Sequence, residues 1–178
     1  LDFRRRKISM VFQNFGLMAH RNVLDNVAYG LEIRGANRAE RQSRAMEMIK
    51  LVGLEGWEGK NISQLSGGMR QRVGIARAYA ADPKLMIMDE PFGKLDAQTR
   101  YQMEEEILRI WEMEKRTIIF VTNNIEEAVY LAERVLILSN KPAGIKAEVP
   151  VNLERPRKVS SPDFIRIRKE ITDMIKWW

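Results

Sequence analysis

The run Leu85-Met86-Ile87-Met88-Asp89-Glu90-Pro91 sets two adjacent carboxylates directly after four apolar residues. A short, fully apolar stretch reads as a strand buried in a parallel sheet, and ligands of open α/β sheets bind at the carboxyl ends of such strands. Acids there suit a divalent cation and a water nucleophile. Asp89 could hold Mg²⁺ through water, and Glu90 could polarise an attacking water as a general base. Many strands end in acids, so this pattern alone does not decide the chemistry. A second stretch, Leu65 to Ala78 (LSGGMRQRVGIARA), puts Ser66, Gly67 and Gly68 at the start of a helical run. The first N–H groups of a helix and its dipole attract anions, and glycine lets a phosphate approach the backbone. The short Ser-Gly-Gly form is equally a glycine-flanked cap.

These groups need elements to hold them. Lys7–Gln13 reads as a buried strand. Val23–Ile33 has helical spacing and ends at Gly35. Arg38–Val52 reads as a helix with Ala45, Met48, Ile49 and Val52 on one face, closed by Gly53. A long helix after Ser66 runs to Ala81 and stops before Pro83. Strand Leu85–Met88 is followed by a helix from Asp96 to Glu114, a strand over Thr117–Thr122, a short helix over Ile125–Ala132 and a strand over Val135–Leu138. Strand–helix alternation of this kind means a parallel sheet covered by helices. Gly144–Val149 could add an edge strand. Pro150–Ser161 reads as a charged linker, and Ser161-Pro162-Asp163 as a helix start. Beyond it Phe164, Ile167, Ile171, Met174 or Ile175, and Trp178 form one stripe, expected to dock on the domain's own core.

Composition bounds the function. The 178 residues allow one domain with a sizeable core and a small appendage. With 45% hydrophobic and 30% charged residues the chain is ordinary globular material. It has no cysteine, which removes disulfides and thiolate metal sites and fits a cytosolic setting. His20 is the single histidine, which excludes a multi-histidine metal site. No apolar run reaches bilayer length. Leu1 to Lys7 leads into Ile8–Phe12 without the apolar core or cleavage site of a signal peptide. The first residue is Leu rather than Met, so a fragment is expected. The net charge of +6 admits anionic partners. The basic residues are scattered with few aromatics among them, which favours a solvated surface over a nucleic-acid face.

The motifs together resemble those of ATP-binding cassette (ABC) ATPases. Leu65–Ala78 resembles the signature motif, and Leu85–Glu90 looks like the Walker B strand with its catalytic glutamate. Gly93-Lys94-Leu95-Asp96 is similar to the D-loop, and Met10-Val11-Phe12-Gln13 to the Q-loop strand. The resemblance covers essentially the whole chain. It implies an α/β, P-loop NTPase-like cassette with a parallel sheet core over 1–149, a helical signature subdomain inserted over about 23–82, and a linker with an amphipathic helix over 150–178. ATP and Mg²⁺ are the implied cofactors. By resemblance Ser66, Gly67, Gly68, Gln71 and Asp96 serve the nucleotide, Asp89 and Gln13 the metal, and Glu90 and Gln13 catalysis. The signature of one subunit would close over ATP held by a second ATPase subunit, identical or not. Asn14–Asn26 would face a transmembrane permease, a solute-binding protein would be engaged only indirectly, and nucleic acid is not expected. The implied location is peripheral, on the cytoplasmic face of the inner membrane. DEPFGKLDAQTR and the tail VPVNLERPRKVSSPDFIRIRKEI look most like importer ATPases for nitrate, sulfonates and taurine. FGLMAHRNVLDNVAYGLE is also similar to glycine-betaine importer ATPases.

Two departures stand out. The phosphate-cradling G-x-x-x-x-G-K-[ST] does not occur in these residues. Its nearest candidate, Gly53 to Asn61, has Leu54 for the required glycine, Asn61 for Ser or Thr, and two acids that would repel phosphate. In the family this loop precedes the Q-loop strand, as does an aromatic that stacks on adenine, so the present chain is expected neither to bind nor to hydrolyse ATP appreciably by itself. The family also follows Thr122 with a switch histidine, where this chain has Asn123 and then Asn124. His20 lies in the Q-loop region and cannot take that role by sequence order. Asparagine donates a hydrogen bond but carries no proton or charge, so slow or altered hydrolysis is expected. Lys94 stands where the D-loop usually has a small residue and brings a cation near the dimer seam. One alternative is a nucleotide-blind partner lending only its signature face to an intact ATPase. Another, a nucleic-acid or ribosome ATPase, usually carries two cassettes and is disfavoured.

Overall fold

The computed structural model describes residues 7–139 and 144–175. The chain forms two compact units, Leu1–Val121 and Thr122–Trp178.

In the first unit, strands β1 (Ile8–Val11), β2 (Leu85–Asp89) and β3 (Thr117–Val121) form a parallel sheet in the order β1-β2-β3. Ile8 pairs with Leu85, and Asp89 with Val121. Val11, Met86 and Met88 point to a closed face and are fully buried. On the other face Met10, Ile87 and Ile119 lie in one row across the sheet; Met10, Ile119 and, further along β3, Val121 are exposed. β1 ends two residues earlier than the apolar pattern suggests. The carbonyl of Phe12 accepts from Phe15 N at 2.9 Å, which turns the chain out of the sheet before Gln13.

Three helices separate β1 from β2: α1 (Val23–Glu32), α2 (Arg38–Leu51) and α3 (Gly67–Ala80). They pack on one another, and α3 also packs on β1. Asn22 and Asn37 cap α1 and α2 by accepting from Asp25 N and Glu40 N, which satisfies N–H groups that have no partner inside the helix. Two more N–H groups of α1, those of Val23 and Leu24, donate to the carbonyls of Lys60 and Glu58. The Gly53–Asn61 segment therefore offers carbonyls to a helix start, the opposite polarity to a phosphate cradle. Helix α4 (Ala97–Glu114) links β2 to β3.

The second unit holds α5 (Ile125–Leu131), β4 (Arg134–Leu138), β5 (Ile145–Pro150) and α6 (Pro162–Ile175). β4 pairs antiparallel with β5 and belongs to a separate two-stranded sheet, not to the parallel one. Strands this close in sequence satisfy their ladders most directly as an antiparallel pair. Helix α6 packs on α5 through buried Phe164, Ile167 and Ile171, and Arg168 pairs with Glu126 at 2.9 Å. The apolar stripe thus docks within its own unit. Trp178 lies outside the described residues.

The linker is more than a spacer. Arg157 is buried and donates to the carbonyls of Val129, Tyr130 and Ala132 at 2.6–3.0 Å, while Arg155 donates to that of Leu131 at 2.7 Å. Two guanidinium groups therefore close the carbonyl end of α5, where a helix leaves acceptors unpaired and favours cations. Burial lowers the Arg157 pKa to about 10, helped by repulsion from Arg155.

Candidate functional site

Asp89 is the last residue of β2, and Glu90 leaves the strand with φ of +41°. That left-handed conformation is uncommon for a residue with a Cβ and marks a backbone fixed by its surroundings. Here Glu90 N donates to Val121 O at 2.9 Å, and Gly93 N donates back to Glu90 O at 3.2 Å. The tight turn aims the Glu90 carboxylate at the residue that leaves β1: Gln13 Nε2 donates to Glu90 Oε2 at 3.0 Å. A metal-coordinating role for Gln13 needs its other amide atom, the carbonyl oxygen, which this bond does not use. The two segments touch a second time, because Lys94 Nζ donates to Asn14 Oδ1. The cation expected at a dimer seam is thus engaged by Asn14 within the chain.

Ser66 caps α3, its hydroxyl accepting from Met69 N at 3.2 Å. Gly67 and Gly68 open the helix, and the structure gives Gly68 a packing role that the sequence pattern did not reveal. A Cβ on Gly68 would lie 3.0 Å from Thr99 Cγ2, and one on Gly67 would lie 3.7 Å from Leu95 Cδ2. The bare backbone of Gly68 lets the start of α3 abut the start of α4, whereas a Cβ on Gly67 would make only an ordinary contact. Asp96 caps α4: Oδ1 accepts from Thr99 N at 3.0 Å and Oδ2 from Thr99 Oγ1 at 2.7 Å. Both bonds favour the ionised form and lower the Asp96 pKa. Both carboxylate oxygens are thus engaged within the first turn of α4.

Gln71 lies one turn further along α3. It is fully buried in α3, and neither amide atom has a hydrogen-bond partner among the described residues. Its burial places it in the interior of this chain. Asn123 lies between β3 and α5 and is exposed. Its neighbour Asn124 caps α5, Oδ1 accepting from Glu126 N at 3.0 Å and Glu127 N at 3.3 Å. The paired asparagines therefore split into a cap and an exposed polar group. Sequence reasoning also missed Asn26, which is fully buried and holds Met18 and Arg21 beside α1 through three hydrogen bonds, with a fourth to the carbonyl of Asn22. The signal was an asparagine on the apolar side of a helical pattern.

A parallel sheet with helices inserted between its strands is the fold of an ATPase-type cassette, and comparison with known proteins bears that fold and family out. A family model for the ABC transporter matches residues 1–93. An uncharacterized ABC transporter ATP-binding protein of Methanocaldococcus jannaschii is 50% identical over 94% of this chain and 62% of its own length. The taurine import ATP-binding protein TauB of Escherichia coli is 45% identical over 93% of this chain and 68% of its own. A bacterial ABC transporter cassette solved as a dimer superposes with a TM-score of 0.70 at 33% identity, over 85% of this chain and 66% of that one. A post-hydrolysis dimer of the same cassette, bound to ADP and Pi, superposes with a TM-score of 0.69. The chain belongs to the ABC transporter family and has the ABC ATPase cassette fold. It spans about three fifths of the M. jannaschii relative's length. No helix among the described residues is long and apolar enough to cross a membrane.

Proposed function

We propose that this chain is the greater part of the ATP-binding and ATP-hydrolysing subunit of an ABC importer, with 1–149 the nucleotide-binding part and 150–178 an appended linker and helix. The observation that carries it is the Gln13–Glu90 hydrogen bond at the carboxyl end of β2. In this reading Glu90 accepts a proton from the attacking water, and Gln13 holds its carboxylate and orients the water. Asp89 and the Gln13 carbonyl would be the oxygen donors for Mg²⁺. Among the described residues no three His, Cys, Asp or Glu converge, which suits a Mg²⁺ carried largely by substrate phosphates rather than an all-protein cage. Bound there, Mg²⁺ would neutralise charge on the transferring phosphate. Ser66, Gly67 and Gly68 would meet the nucleotide of a second ATPase subunit, Asp96 would lie near that seam, and Asn14–Asn26 would meet a transmembrane permease at the inner face of the membrane. The likeness to TauB supports taurine or a related sulfonate as solute; a nitrate or a glycine-betaine-like solute is the alternative.

The test joins the chain to the N-terminal part of a cassette relative that carries a phosphate loop. ATP hydrolysis is expected, falling about 10²–10⁴-fold in Glu90→Gln and rising in Asn123→His. An unaltered rate in Glu90→Gln would sink the reading. The 178-residue chain alone is expected not to bind Mg-ATP measurably; binding abolished by Asp89→Asn would overturn that part. Asn123 at the switch position favours a second reading, a nucleotide-blind subunit lending its signature face. Mixed with an intact cassette, it would then change hydrolysis in a way that Ser66→Arg abolishes while Glu90→Gln does not.

A further inference from the structure

The turn after β1 has an unfavourable backbone. Phe15 and Gly16 are consecutive left-handed residues, with φ of +62° and +56°. For a bulky residue such as Phe15 that conformation is disfavoured and persists only where the surroundings impose it. Two bonds close the turn on itself, Phe15 N to Phe12 O and Gly16 N to Asn14 O at 2.7 Å. Gln13 sits inside it. The surroundings that impose the shape come from α3. Arg77 donates through Nη2 to Phe15 O at 2.8 Å and through Nη1 to Gly16 O at 2.6 Å. Gly74, one helical turn earlier, lies below the same carbonyl, where a Cβ would sit 3.7 Å from Phe15 O. A Cβ on Gly16 would meet the Phe12 ring at 3.3 Å and Arg77 Nη2 at 3.4 Å. Arg77 is half-buried against this turn, and burial lowers its pKa.

We infer that Arg77 is a positioning residue for Gln13: by fixing the Phe15–Gly16 turn from the signature helix, it keeps the Gln13 amide on the Glu90 carboxylate. Arg77 touches neither group and acts through the backbone of the turn. It joins the helix that opens with Ser66 to the pair at the end of β2, so a displacement of α3 alters the Gln13–Glu90 contact. The inference deepens the reading of Gln13 and Glu90 as a hydrolytic pair, but the contact itself is present without nucleotide.

The experiment is therefore nucleotide-free: the side-chain amide resonance of Gln13 in the ¹⁵N-labelled 178-residue chain. Glu90→Gln should shift that resonance in the otherwise unchanged protein. In Arg77→Ala the Glu90-dependent shift should disappear while α3 amides keep their protection from hydrogen exchange. In Arg77→Lys, whose single ammonium cannot fork across both carbonyls, the shift should shrink. A full shift in Arg77→Ala overturns the inference. If Arg77→Ala loses α3, Arg77→Lys decides: a diminished shift supports the inference and a full shift overturns it. Because no ATP is involved, failure here leaves the hydrolytic reading of Glu90 standing.

Discussion

Gln71 and Asn26 are two fully buried amides with opposite circumstances. The Asn26 amide is saturated by the backbone of Met18, Arg21 and Asn22. The Gln71 amide has no partner among the described residues. A buried amide without hydrogen bonds costs about 1–3 kcal/mol, and an apolar group of the same shape avoids that cost. Gln71→Met is therefore expected to raise stability by about 1 kcal/mol, seen in thermal unfolding as about 2–4 °C. A lower melting temperature would mean that the amide has found a partner. Asn26→Leu should do the reverse, stranding backbone groups of the 18–22 segment.

At the scale of elements, the junction of α3 and α4 depends on absent atoms. Gly68→Ala would bring its Cβ to 3.0 Å from Thr99 Cγ2 and should destabilise by about 1–3 kcal/mol as overpacking does. Thr99→Ser removes that methyl, so the double variant should recover most of the loss in a chemical-denaturation cycle. The cap at this junction also sets a pH dependence. The Thr99 bonds hold the Asp96 pKa below its unfolded value, so the cap's contribution is complete above the ordinary carboxylate range and fades as pH falls through the lowered pKa. The stability difference between the wild type and Asp96→Asn should shrink on acidification; a difference that grows would contradict the cap. Most elements were legible in the sequence, because their apolar periods and caps are local: Asn37, Ser66 and Asp96 each sit where a helix begins. The Gln13–Glu90 pair was legible only as a resemblance, since 77 residues separate its members. The antiparallel pairing of β4 was not, because a four- or five-residue apolar run fits either kind of sheet. Nor was the role of Arg77, which reads as an ordinary helix cation until the carbonyls of Phe15 and Gly16 turn toward it.

For the molecule as a whole, the two units rest on different kinds of support. The first has the parallel sheet and the packed trio α1, α2 and α3. The second is small, and its seven-residue α5 is closed by Arg155 and Arg157 rather than by a long apolar face. Arg157→Ala strands several buried carbonyls and should cost about 3 kcal/mol, a large share of a small unit's stability. Hydrogen exchange should then show Thr122–Ile175 losing protection while β1, β2 and β3 keep theirs. A uniform loss across both units would show that they unfold together. The open face of the parallel sheet has a practical consequence. Sheets of this kind normally bury both faces, yet Met10, Ile119 and Val121 remain in contact with water. The isolated chain should accordingly handle like an amphiphile despite its net charge of +6: it should salt out early in ammonium sulfate, lag on hydrophobic chromatography resin, and light up the dye ANS while still folded.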